Sequence, residues 1–154
     1  MATRRIVTGI VDGRSVFISD GPAAPSQHGL FEDLWTINAD EKFGHPPVAG
    51  EMQLEAAAGS LVWRVVTIPS DADYVKMLAA APPERKHLVD PDGWHQTATV
   101  DLVIVLEGDL ALQLDEGEVL LHPGDVVVQQ GTNHAWHTRS EGPVRVLAMM
   151  RSFP

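Results

Sequence analysis

The amino-acid sequence predicts an all-β fold, a barrel or a sandwich, that contains one short helix. Short runs of β-branched and apolar residues recur along the chain, and turn residues separate them at close, even intervals from residue 94 onward. One segment, residues 72–81, is rich in helix-forming residues and ends at two prolines. The length of 154 residues and the hydrophobic fraction of 44% suit one globular core. We therefore expect residues 1–154 to form a single domain.

The first part of this domain, residues 5–68, contains four predicted strands. They span residues 5–11, 15–19, 30–37 and 61–68. The first two strands are joined by Asp12-Gly13, and an Asp-Gly pair between two β-rich runs is typical of a tight hairpin turn. Residues 38–50 contain several Gly and Pro residues and are predicted to form a loop.

The segment 70–92 is predicted to contain the helix. Ser70 is a suitable N-cap, residues 72–81 are rich in helix formers, and Pro82-Pro83 ends the pattern. Because the segment leads directly to His95, we predict that it covers the mouth of the barrel. Its apolar side chains would be Tyr74, Met77 and Leu78.

Residues 94–150 are predicted to form a long strand and five shorter ones. Their ranges are 94–106, 110–114, 119–121, 126–129, 135–138 and 144–150. Side chains alternate along a strand, so one face of the long strand is polar from His95 to Asp101 and apolar beyond. This face suits the inside of a barrel with a site near one end. The other face is apolar and predicts a homodimer; it consists of Val100, Leu102, Ile104 and Leu106.

Composition excludes several classes of protein. Cysteine is absent, which excludes disulfides, zinc–thiolate clusters and a cysteine nucleophile and fits the cytoplasm. The net charge of −10 argues against nucleic acid as a partner, because binding phosphate needs basic patches. No apolar run approaches the ~20 residues that a membrane span requires, so no membrane partner is expected.

Two short patterns within residues 94–150 carry the chemistry. The first is His95-x-Thr97, then three residues, Asp101, six residues and Gly108. Its spacing resembles the first motif of the cupin superfamily, with Thr97 in place of the second histidine and Asp101 in place of the glutamate. The second pattern, residues 124–136, resembles the second cupin motif, and its histidine is His134.

This resemblance implies the cupin fold, a double-stranded β-helix or jelly-roll barrel, of the small single-domain type. It also implies that His95, Asp101 and His134 bind one divalent transition metal, Fe, Mn, Ni or Zn, with His134 and Asp101 acting in catalysis. On a straight strand His95 and Asp101 would be about 20 Å apart. A shared ion therefore requires a bend in the chain near residues 97–100.

Three further residues are predicted to bind a small-molecule substrate, namely Thr97, Gln130 and Trp136. Each site residue has a structural alternative. His95 and Asp101 would otherwise line a polar barrel end without metal, His134 would be a turn histidine, and Trp136 would pack in the core. His137 has the opposite strand parity to His134 and is expected to face outward.

The function that follows is metal-dependent proton transfer on a small carbonyl compound or organic acid, such as a natural-product intermediate. It covers lyase, decarboxylase, isomerase and cyclase chemistry. A non-haem dioxygenase is the alternative, because two histidines and a carboxylate also bind iron in such enzymes. A cupin that binds a small ligand without turnover is the alternative outside enzymes.

Overall fold

The computed structural model describes residues 3–23, 30–47, 55–80 and 90–153. Strands dominate these ranges, as the all-β prediction requires. The strands are β1 (Arg4–Val11), β2 (Arg14–Pro22), β3 (Phe31–Ile37), β4 (Leu61–Ile68), β5 (Thr99–Glu107), β6 (Leu110–Leu114), β7 (Gly117–Leu121), β8 (Val126–Gln130), β9 (His134–Thr138) and β10 (Val144–Ser152). Helix α1 (Asp71–Ala80) lies between β4 and β5.

Two antiparallel sheets supply the core. The larger has the strand order β3-β4-β10-β5-β8 and the smaller has the order β7-β6-β9. Apolar side chains from both sheets form one buried cluster, as expected for a barrel in which each strand turns alternate residues inward. The cluster consists of Val103, Val105, Leu110, Leu112, Leu121, Val144, Val146, Ala148 and Met150.

The barrel interior is divided along β5. Thr99 and Asp101 are buried at one end, and Val103 and Val105 are buried at the other. We call these the polar end and the apolar end of the barrel. On the opposite face of the strand, Leu102 is 44% exposed, so the alternation expected from the sequence is confirmed.

The predicted long strand over residues 94–106 is interrupted. β5 begins at Thr99, and before it the chain makes only an isolated bridge between His95 and His134. Between these points the Thr97 and Thr99 hydroxyls lie 2.8 Å apart and are hydrogen-bonded. The prediction of one continuous strand was wrong here because polar–apolar alternation continues through residues 96–98 although their backbone leaves the sheet.

Helix α1 begins as the sequence predicts. The backbone N–H of Asp73 donates to the Ser70 hydroxyl at 3.2 Å, which is an N-cap bond. The N–H of Thr138 donates to the Asp71 carboxylate at 3.1 Å, so the start of the helix is fixed to β9. No helix among the described residues is long and apolar enough to cross a membrane.

The predicted cover over the barrel mouth lies partly outside the described residues, which omit 81–89. Within the described part, the Tyr74 hydroxyl donates to the Asp90 carbonyl at 3.0 Å. This bond ties the helix to the turn that precedes His95. That residues 70–92 cover the mouth of the barrel stays a prediction.

Strands β1 and β2 form a separate two-stranded sheet. Asp12 and Gly13 have φ angles of 51° and 74°, as the predicted tight turn requires. At the base of the hairpin, the Thr3 N–H and hydroxyl donate to Glu32 at 2.7 and 2.8 Å. Toward the tip, Ile10 and Phe17 are each 78% exposed. The hairpin is therefore attached to the barrel at its base and exposed beyond it.

Candidate functional site

The polar end of the barrel gathers buried polar side chains from three strands and the segment before β5. Buried polar groups are informative because each must recover in the protein the hydrogen bonds that it loses from water. The set consists of Thr97, Thr99, Asp101, Gln129 and His134. This cluster is the candidate site.

His95 and His134 are in ring contact within this site. The His95 N–H donates to the His134 carbonyl at 2.9 Å, and the His134 N–H donates back at 3.0 Å. Directly opposed residues of an antiparallel bridge place their side chains on the same side of the sheet. The two ring centroids are consequently 4.2 Å apart, with the planes tilted by 54°.

Backbone carbonyls hold the Nδ1 atoms of both histidines. The Nδ1 atom of His95 is 2.8 Å from the Gly93 carbonyl, and that of His134 is 2.9 Å from the Thr132 carbonyl. A carbonyl only accepts hydrogen bonds, so Nδ1 of His95 carries the proton and its Nε2 keeps its lone pair. Nδ1 of His134 lies between this carbonyl and the amide nitrogen of Gln129, which is a donor. Neither Nε2 has a hydrogen-bond partner among the described residues. This arrangement prepares an imidazole to bind a metal or to accept a proton.

Gln129 lies beside His134, which the sequence analysis did not anticipate. Its amide Nε2 is 3.0 Å from the Thr132 carbonyl and 2.9 Å from Nδ1 of His134. Gln129 is 3% exposed, whereas the neighbouring Gln130 is exposed on the opposite face of β8. The prediction that Gln130 lines the cavity is therefore corrected to Gln129. In the run Val126-Val127-Val128-Gln129-Gln130 the sequence offers no indication of which glutamine faces inward.

Replacing Gln129 by methionine is expected to destabilise the protein by about 1 kcal/mol, because the hydrogen bonds from its amide to the Thr132 carbonyl and hydroxyl are lost. It should also change the balance of the two His134 tautomers, since the donor beside Nδ1 is removed. Nitrogen NMR of the imidazoles and urea denaturation measure the two effects. Gln130→Met is the matched control and should change neither; equal effects of the two variants would contradict the assignment.

Asp101 is buried at the polar end but is not gathered with the histidines. Its Oδ1 atom is buried without a hydrogen-bond partner. Burial raises the pKa of Asp101, and the Thr99 hydrogen bond and the charge of His95 lower it to a lesser extent. No three His, Cys, Asp or Glu side chains of the described ranges lie close enough together to hold a metal ion.

The predicted metal ligands are therefore only partly assembled. His95 and His134 present two free imidazole nitrogens, which suit a divalent transition metal. Asp101 offers a buried carboxylate oxygen without a partner. An aspartate is one methylene shorter than the glutamate of the cupin motif and therefore reaches less far from its strand. The Thr97 hydroxyl is engaged with Thr99.

Trp136 and His137 occupy opposite faces of β9. The Trp136 ring meets the His134 ring edge-on, with centroids 5.5 Å apart, and also packs against the apolar core cluster. Trp136 thus packs in the core, and its role as a wall of a substrate pocket stays a prediction. His137 faces outward, where its Nε2 is 3.1 Å from the Gln113 side chain and its Nδ1 is 3.6 Å from Asp71.

An arginine inside the barrel is a second residue that the sequence analysis missed. Arg64 is 1% exposed, and its Nε is 2.8 Å from the Asp33 carboxylate. Its guanidinium carbon lies 5.1 Å from the centre of the Phe31 ring. The positive charge of Arg64 also acts on Asp101, whose pKa it lowers. Arg64 therefore brings a fixed positive charge close to the polar end.

The fold and this site define a class: a jelly-roll barrel with paired histidines at a polar interior end. Residues 85–150 match the family described as Cupin domain. Residues 85–150, which carry both histidines of the site, thus have the sequence of a cupin domain.

Three similar proteins illustrate the relationship. Oryzines biosynthesis cluster protein J of Aspergillus oryzae is 51% identical over 49 residues, which cover 31% of this chain and 27% of that protein. The Cupin-domain-containing oxidoreductase virC of Hypocrea virens is 43% identical over 44 residues, which cover 28% of this chain and 23% of that protein. The match thus spans about a quarter of each curated relative. A cupin-2 domain protein of Shewanella frigidimarina has a TM-score of 0.40 and 18% identity, with 70% and 79% of the two chains covered.

Proposed function

We propose that this cupin is an enzyme that transfers protons on a small carbonyl compound or organic acid. The supporting observation is the pair of histidines whose Nδ1 atoms are held by backbone carbonyls and whose Nε2 atoms have no partner among the described residues. The names of relatives from biosynthesis clusters support a natural-product intermediate as the substrate.

In this proposal His134 is a metal ligand and Asp101 moves the proton. Burial lowers the pKa of His134, so its ring is neutral at neutral pH and Nε2 is able to bind a metal ion. Burial raises the pKa of Asp101, which makes its carboxylate a stronger base and suits it to take a proton from a carbon next to a carbonyl group and return it to the substrate. The Thr97 hydroxyl and the Trp136 ring would contact the substrate and exclude water.

The proposal includes one divalent transition metal, Fe, Mn, Ni or Zn. His95 and His134 would hold it through their Nε2 atoms. When bound, the ion would polarise a carbonyl oxygen and so make the neighbouring C–H bond more acidic.

The test combines metal analysis with proton exchange. Protein purified without an affinity metal column is expected to contain about one transition metal per chain by mass spectrometry. In D₂O it should catalyse C–H exchange on at least one member of a panel of 2-oxo and 3-oxo acids, followed by proton NMR. His95→Ala should lose the metal. A metal-free protein that neither exchanges nor binds any member would contradict the proposal.

Dioxygenase chemistry is the second candidate, and the name of the oxidoreductase relative favours it. Oxygen uptake with a substrate from the same panel, in place of proton exchange, would select it. Binding without turnover would select the non-catalytic ligand-binding cupin.

A further inference from the structure

The inner face of the three-stranded sheet is buried in its middle and open at one edge. Leu112 belongs to the buried core cluster and therefore marks the inner face of β6. Opposed residues of an antiparallel ladder share a face, so Trp136 on β9 and Val119 on β7, which both pair with Leu112, also face inward. Leu112 is 6% exposed, whereas Val119 is 51% exposed. The barrel is thus open on its inner side at β7.

The next inward residues along the ladder lead from this opening to the candidate site. Leu114 on β6 is paired with His134 on one side and with Gly117 on the other. His134 is 2% exposed and Leu114 is 37% exposed. At Gly117, no atom of the described residues apart from its chain neighbours lies within 4 Å of the position that a Cβ atom would take. Open space therefore begins beside Leu114, one strand away from the buried histidine.

Two apolar side chains, Leu114 and Val119, border this opening, and we call them the apolar rim. An apolar side chain that faces the inside of a barrel is ordinarily covered by the opposite sheet, so exposure at this position is informative. β7 is an edge strand and pairs only with β6 among the described strands. Because the apolar rim and His134 lie on the same face of the sheet, a ligand held at the histidines is able to extend onto the rim.

Carboxylates restrict what the apolar rim accepts. The turn between β6 and β7 consists of Asp115 and Glu116, which are both exposed. Asp115 accepts a hydrogen bond from the Asn133 side chain at 3.0 Å, which holds its carboxylate at the turn. The whole chain has a net charge of −10. A second negative charge at the far end of a ligand would be repelled here, whereas an uncharged apolar group would gain from leaving water.

We propose that the apolar rim binds the apolar part of the substrate, an alkyl chain or an aromatic ring that extends from the carbonyl group at the histidines. The substrate class is then a 2-oxo or 3-oxo acid with one charged end and an uncharged apolar tail. Neighbouring strands are ~4.8 Å apart, so the face from β9 to β7 spans roughly 10 Å and has room for such a tail. The assignment rests on the proposed function, which places the head of the substrate at the histidines.

Calorimetric binding of straight-chain 2-oxo acids tests the apolar rim without requiring turnover. Affinity is expected to rise about two- to fourfold for each added CH₂ group from 2-oxobutanoate to 2-oxooctanoate, because each group removes apolar surface from water. 2-Oxohexanoate should bind about tenfold more tightly than 2-oxoadipate, which has the same chain length but ends in a second carboxylate. Affinity that does not rise along the series, equal or tighter binding of 2-oxoadipate, or no binding of any member would overturn the assignment.

Two neighbouring residues of β7 supply a matched pair of variants. Val119→Asn removes apolar surface from the rim and should flatten the dependence of affinity on chain length. Leu120→Asn changes a residue that is 48% exposed on the outer face of the same strand, where it pairs with Ala111, and should keep the wild-type dependence. The same dependence in both variants would also overturn the assignment.

The assignment and the proposed function fail in different ways. Affinity that follows chain length, without C–H exchange on any member, would contradict the enzyme and support a ligand-binding cupin that uses the apolar rim. Exchange on 2-oxo acids with affinity independent of the tail would support the enzyme and overturn the role of the rim.

Discussion

Replacement of Arg64 by methionine is expected to lower the free energy of unfolding by about 3–5 kcal/mol at neutral pH. Arg64 is buried and pairs with Asp33, whose side chain is 19% exposed. Removing one partner of a buried ion pair leaves the other charge without compensation, and this costs far more than the pair itself contributes. The measurement is urea denaturation.

The loss should depend on pH in a defined direction. Burial raises the pKa of Asp33, while the charge of Arg64 lowers it. Without Arg64, the folded-state pKa of Asp33 therefore rises further above the unfolded value. Such a carboxyl group favours the fold when protonated, so the variant loses stability as pH rises through the folded-state pKa. The deficit relative to wild type should be smaller at pH 4 than at pH 7.

Two matched variants separate charge from packing. Asp33→Asn in the Arg64→Met background should recover much of the loss at neutral pH, because no carboxylate is then left buried. Arg145→Met removes an arginine whose contact with Glu107 is more exposed, and it should cost at most about 1 kcal/mol. An Arg64→Met cost as small as that of Arg145→Met would show that the interior charge has no structural role.

The second large effect is expected at His134. His134→Ala should release the metal, since one of two imidazole ligands is lost. It should therefore also reduce the proton-exchange rate by about 10²- to 10⁴-fold, because polarisation of the carbonyl oxygen by a metal contributes several kcal/mol to such a reaction. Exchange followed by NMR and metal content by mass spectrometry measure the two effects on one sample.

His137→Ala is the control for His134→Ala. His137 lies three residues further along β9, on the outer face, and contacts Gln113 and Asp71 away from the barrel interior. It should retain both metal and exchange activity. Full activity in His134→Ala would show that the reaction does not depend on a metal held by His134.

Local rules account for the elements that the sequence predicted well. Strand β4 has the bounds expected, because its apolar run is flanked by turn residues on both sides. The hairpin turn at Asp12-Gly13 and the N-cap at Ser70 follow from backbone conformation and one hydrogen bond. These features depend only on residues that are close together in the sequence, so they can be predicted from one sequence alone.

The candidate site could be predicted only in part, because it depends on contacts between distant segments. Alternation on β5 places Asp101 inside, but the break before Thr99 arises where residues 96–98 meet Gly131 and Phe153. Gln129 faces the barrel interior because it pairs with Asp101 on β5. The interior position of Arg64 requires Asp33 on another strand. None of these partners is visible in a local pattern.

The division of the barrel into an apolar and a polar end has a consequence for how such a protein changes over evolution. Side chains such as Val105 and Leu110 join the two sheets, so substitutions there alter whether the barrel forms. Thr97 and Gln129 belong to the other end, where buried side chains contribute single hydrogen bonds and do not join the two sheets. Substitutions there are therefore expected to cost about 1 kcal/mol each and to meet weaker selection for folding than substitutions in the apolar cluster.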